Sequence, residues 1–117
     1  MRLSKNLLSA IGMVLLLANA ALAHSEMKSS VPADQAIVDA APDIVSLSFS
    51  DEIRLTRIEL TFMDQPRMDL DLAGQAAFAT EFAVPLPALG PGTYRIEWRG
   101  LAEDGHAMQG AFSFDVE

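Results

Sequence analysis

Four stretches of this chain alternate apolar and polar residues with a period of two, and that pattern confines the fold more tightly than any other feature. Val45, Leu47 and Phe49 alternate with Ser46, Ser48 and Ser50. Ile58, Leu60 and Phe62 alternate with Glu59 and Thr61, and Tyr94, Ile96 and Trp98 with Arg95, Glu97 and Arg99. Phe112, Phe114 and Val116 alternate with Ala111, Ser113 and Asp115. Successive side chains of a strand point to opposite faces, so each run reads as a strand buried on one face only. Phe82 to Leu86 is a weaker strand candidate, its Pro85 suiting an edge or an end. Turn signals separate these runs: Val31-Pro32-Ala33-Asp34, Ala41-Pro42-Asp43 and Leu89-Gly90-Pro91-Gly92. No long segment shows helical spacing with caps. The expected fold is therefore all-β: a small antiparallel Greek-key sandwich or barrel of immunoglobulin-like or cupredoxin-like topology, with Trp98 as a core aromatic.

The first residues read as a leader rather than as part of that domain. Met1, Arg2 and Lys5 make a basic start, residues 7–22 are a short apolar stretch, and Ala21-Leu22-Ala23 has the small-x-small pattern of a cleavage site. Cleavage after Ala23 would leave residues 24–117, one small domain, exported to the periplasm. Losing Arg2 and Lys5 takes the net charge from −8 to −10. So acidic a domain is a poor candidate for binding nucleic acid or anionic membrane surfaces. The chain has no cysteine, which removes disulfides, thiolate nucleophiles and thiolate metal sites together. There is no Gly-x-Ser-x-Gly elbow and no glycine-rich phosphate loop.

The chemistry-bearing residues that remain are few. The two histidines of the chain are His24 and His106. After the expected cut His24 is the N-terminus, and its amine and ring Nδ1 can close a six-membered chelate on one metal ion. Holding both nitrogens on one residue lowers the entropy cost of bringing them together. Asp104 and His106 are two apart, so on an extended backbone they share a face, with Gly105 leaving the chain free to turn. Three nitrogens and one carboxylate oxygen suit tetragonal Cu(II), which also leads the divalent first-row ions in affinity, whereas zinc favours tetrahedral sites. Copper has to displace protons from amine and imidazole, so affinity is expected to fall as the pH drops. Taken singly, each residue has a plainer reading: a leader that happens to end before a histidine, a solvated aspartate in a turn, a surface histidine. Met27 and Met108 flank the two halves of this set and read as core first and as a cover second.

From His24 to Val116 the chain resembles the CopC family of periplasmic copper-binding proteins. The resemblance rests on the N-terminal histidine, Lys28-Ser29-Ser30-Val31-Pro32-Ala33-Asp34, and the strand ending Leu47-Ser48-Phe49-Ser50. It continues through Gly92-Thr93-Tyr94-Arg95-Ile96-Glu97-Trp98, Asp104-Gly105-His106 and Gly110-Ala111-Phe112-Ser113-Phe114. It implies a Greek-key β fold with one Cu(II) per chain, held by the amine and ring of His24, by Asp104 and by His106. It also implies an acidic residue after the Phe-Ser of the first core strand. Asp51 stands there, where Glu is expected, with Glu52 beside it, and either could orient an imidazole or the amine. Some members bind Cu(I) in a methionine-rich loop. Met63-Asp64-Gln65-Pro66-Arg67-Met68 resembles a thinned version, and with only Met63 and Met68 as thioether ligands a second site is not expected.

The function so implied is a monomeric copper carrier or buffer, not an enzyme. Its implied partner is an inner-membrane copper transporter of the CopD type, with no nucleic-acid partner and no small-molecule substrate. Two other classes compete. A histidine at the N-terminus plus a second histidine is also the copper site of lytic polysaccharide monooxygenases, but Asp104 would fill the position oxygen needs, and one Trp and one Tyr give little aromatic surface for a polysaccharide. An immunoglobulin-like module without metal would show no change in melting temperature with Cu(II).

Overall fold

The computed structural model describes residues 27–117; the expected leader 1–23 and His24 lie outside the described residues. Seven strands follow one another: β1 Met27–Val31, β2 Ala36–Val38, β3 Ile44–Phe62, β4 Met68–Asp69, β5 Ala79–Pro85, β6 Gly92–Ala102 and β7 Ala107–Val116. They form one hydrogen-bonded system in the order β1-β3-β6-β7-β2, and β4 and β5 also pair with β3.

Two of the alternating runs turn out to be one strand. β3 is 19 residues long and joins the Val45 run to the Ile58 run. Nothing between them breaks a strand, since 51–57 holds no Gly or Pro, and Ile53 and Leu55 keep the inward alternation going. The inward residues are odd-numbered up to Leu55 and even-numbered from Ile58. A register shift between Leu55 and Arg57 accounts for that change of phase. An extra residue in one strand bends it and re-aims the side chains that follow. The first half of β3 pairs with β1 and β5, the second half with β6 and β4. One strand thereby belongs to both layers, as at the corners of packed sheets.

The inward faces meet in one core that includes Val45, Leu47, Phe49, Phe82 and Val84 with Tyr94, Ile96, Trp98, Phe112 and Phe114. Phe49 contacts Trp98 edge-on with ring centroids 4.9 Å apart. Gly110 sits directly opposite Trp98 on β7, and the indole lies where a side chain at 110 would be. The Tyr94 ring stacks on Phe114, and its hydroxyl donates to the Gly90 carbonyl at 2.7 Å, tying the turn before β6 to the core. Burial pushes the Tyr94 phenol up from its ordinary value. The folded state then keeps the proton to higher pH than the unfolded chain does. Its share of stability is complete below about pH 10 and is lost as the pH rises through the folded value. Tyr94→Phe should cost about 1 kcal/mol in a denaturant titration at neutral pH. A cost indistinguishable from zero would mean that the turn is held without this bond.

One pairing departs from the antiparallel expectation. β2 runs parallel to β7, Ala36 to Val38 opposite Phe114 to Val116. The turn after β1 reverses the chain, and Asp34 fixes where it lands. The Asp34 carboxylate accepts the Ser113 N–H at 3.0 Å, and the Gln35 N–H donates to the Ser113 carbonyl. A short segment anchored by its first residues can follow the neighbouring strand in either direction, and here it follows β7.

Candidate metal centre

Asp104 and His106 sit at the tip of the hairpin joining β6 to β7. Leu101 and Ala107 are the last paired residues. Beyond them the Gly105 N–H donates to the Ala102 carbonyl, and the Ala102 N–H to the His106 carbonyl, both at 2.9 Å. Gly105 has φ of +89°, the left-handed conformation that closes a short hairpin loop. The backbone here is a tight turn, so strand alternation is not what brings the two side chains together. The Asp104 carboxylate accepts the backbone N–H of His106 at 3.0 Å, and the same oxygen lies 3.7 Å from the His106 Nδ1. An aspartate bonded to the backbone two residues on is an ordinary turn device, and here it holds a carboxylate beside an imidazole. Both side chains stay exposed, 74% for Asp104 and 65% for His106, so each keeps room to reorient.

Ile53 carries the other wall. It pairs with Ala102 of β6 and with Ala79 of β5, at the point where β3 passes between layers. Asp51 and Glu52 immediately precede it and so reach the hairpin. Asp51, Glu52, Glu103, Asp104 and His106 line a cleft of about 340 Å³ together with Ile53, Ala102 and Met108. Met108 is buried and also borders this cleft, so its two readings coincide; Met27 packs partly buried against the core. Four carboxylates and no Lys or Arg border the cleft, a wall that concentrates cations. Among the described residues, no group of three or more His or carboxylate side chains converges on one point. The described part thus offers one imidazole and one carboxylate side by side, half of the expected donor set. The sequence pattern marks neither Glu103 nor Ile53 as part of the site. Glu103 adjoins the Asp-x-His triplet and is within reach of that reading, whereas nothing local marks Ile53 as a corner.

The methionine pair lies elsewhere. Met63 follows the end of β3 where Phe62 pairs with Tyr94, whereas the cleft adjoins the Ile53–Ala102 pair at the opposite end of the same ladder. At about 3.3 Å per residue, the two ends of that ladder are roughly 30 Å apart. The Met63 sulfur accepts the Thr93 N–H at 3.2 Å and packs on Gly92. Met68 is half-buried on β4, opposite Leu60.

A family model described as CopC domain matches residues 27–117. The chain belongs to the CopC family. Its CopC-family relatives include Copper resistance protein C of Escherichia coli, 33% identical with 91% of each chain covered. Copper resistance protein C of Xanthomonas campestris pv. juglandis is 35% identical, with 83% of each chain covered. Among solved structures, PcoC, a methionine-rich copper resistance protein from Escherichia coli, superposes with a TM-score of 0.58 at 33% identity, covering 80% of this chain and 99% of that one. Its β fold is the fold described above.

Proposed function

We propose that this CopC-family chain is a periplasmic copper carrier or buffer that holds one Cu(II) through the amine and ring of His24 together with Asp104 and His106. The juxtaposition of Asp104 with His106 in a cleft walled by Asp51 and Glu52 carries the reading. Chain geometry supports the missing half. β1 begins at Met27, opposite Phe49, two residues from Asp51. His24 is three residues upstream, a span of at most about 10 Å, so an N-terminus there is within covalent reach of the cleft. The acidic wall would gather cations and orient a bound imidazole or amine, and the core Ile53 and Met108 would close the floor. The relatives named above are copper resistance proteins, which favours a carrier over an enzyme. The carrier reading takes as partner an inner-membrane copper transporter of the CopD type.

The test is to purify the exported protein, confirm its N-terminus by mass, and titrate it with Cu(II) while recording EPR spectra. A chain beginning at His24 with one equivalent in a tetragonal, nitrogen-rich spectrum supports the proposal. Another N-terminus, or only weak binding spread over the acidic surface, defeats it. Peroxide production driven by ascorbate would favour the monooxygenase reading instead. In competition titrations His106→Ala should weaken binding more than Asp104→Ala, because all three nitrogen donors survive the second change. The reverse order would show that the donor roles are assigned wrongly.

A further inference from the structure

The outer face of β3, β6 and β7 carries charge in an arrangement that the cleft does not explain. Arg57, Arg67, Arg95 and Arg99 gather there, four of the five arginines among the described residues, although the domain as a whole is strongly acidic. Their pairing is unusual. Arg57 stands directly opposite Arg99, and Glu59 opposite Glu97 further along the same ladder. Like charges facing across a strand pair are unfavourable. Most of that conflict is relieved within the chain. Arg67 lies 3.7 Å from both glutamates, Arg95 lies 3.7 Å from Glu97, and Arg57 is held at 3.1 Å by Glu59 and by Asp69. Arg99 alone of the four has no carboxylate within 4 Å among the described residues. It borders a hollow of about 320 Å³ whose floor is low because the outward-facing Ala111 is small. A second hollow of about 450 Å³ shares Arg99 and Gln109 with the first and runs to His106.

We propose that this face docks an acidic segment of a protein partner, with one of its carboxylates seated in the hollow on Arg99 and Gln109. A guanidinium takes a carboxylate through two parallel hydrogen bonds, and Gln109 can add a third donor. The interspersed Glu59 and Glu97 set the register, so the face selects a spaced acidic segment over a uniform anionic surface. No aromatic side chain projects from it to enter a lipid layer, and the acidic remainder of the domain repels one. The groove leads from the seated carboxylate to His106, which would bring the partner beside the copper ligands; that last role rests on the proposed function, the docking does not.

The test uses the metal-free, ¹⁵N-labelled protein titrated with a synthetic peptide of alternating glutamate and serine and followed by amide shifts. Saturable shifts confined to β6 and β7 around Arg99 and Gln109 are expected. Arg99→Glu should weaken them at least about tenfold, whereas Arg54→Glu, the same charge change outside the hollow, should not. Shifts scattered over the surface, no shifts, or equal loss in both variants would overturn the proposal. Tighter, Arg99-dependent binding to vesicles of phosphatidylglycerol would overturn it in favour of a membrane. A Cu(II) titration of the same samples separates the two readings: peptide binding without copper binding leaves the docking face standing and removes the carrier.

Discussion

Blocking the His24 amine with an Nα-acetyl group should, on the proposed ligation, weaken Cu(II) binding by more than about 100-fold, the most that loss of a group merely orienting a ligand usually costs. The change would convert the amine of the proposed N-terminus into an amide and leave every side chain in place. On the proposed ligation it would remove a ligand and with it the chelate that spares the entropy of assembling two donors. The stability of the metal-free domain should not move, because the described core begins only at β1. Competition titration against a Cu(II) chelator, with a thermal melt of the same metal-free sample, checks both halves. Undiminished affinity would mean that the amine is not a ligand, and the site would then have to be assembled from Asp104, His106 and the carboxylates of the cleft alone.

Gly110→Ala should be the most damaging small substitution in the described domain. A β-carbon at 110 would lie 2.7 to 2.8 Å from three atoms of the Trp98 ring. That residue is 1% exposed and braced by Phe49, so its ring has no open side to move into. Overpacking of this kind costs about 1–3 kcal/mol, and for a rigid indole the upper end is expected. A domain of this size loses about 4–8 °C per kcal/mol, which places the fall in melting temperature at roughly 10–20 °C. Trp98→Phe in the same chain should recover part of it, since the smaller ring vacates the space and the two sites share one contact. The indole N–H has no partner among the described residues, so removing it forfeits no hydrogen bond there. A Gly110→Ala protein that melts with the parent would show that the indole slides aside freely.

The sandwich is legible in the sequence wherever a strand is buried on one face, because there the alternation is written out residue by residue. Local pattern is silent where pairing rather than burial makes the strand. Lys28, Ser29 and Ser30 carry no apolar alternation, yet they belong to β1, paired with the first half of β3. Ala36 to Val38 is too short to declare a direction, and its parallel placement depends on an aspartate bonded across 79 positions of sequence. The bulge that joins two runs into β3 is visible only as a change from odd to even inward positions, a signal weak enough to read as two strands. At the cleft, Asp104 and His106 stand out by their spacing, but strand alternation is the wrong cause. A turn closed by Gly105 and an aspartate-to-backbone bond brings them together instead. The opposing wall is beyond the reach of local pattern, because Asp51 and Glu52 meet the hairpin only through the Ile53–Ala102 pairing.

The parallel seat of β2 on β7 has a consequence for how the chain is made. Its partner is β7, so a chain delivered N-terminus first holds β2 unpaired until β7 has emerged. Contacts between segments so far apart close slowly, since the loop entropy must be met before they form. The architecture therefore delays its own completion.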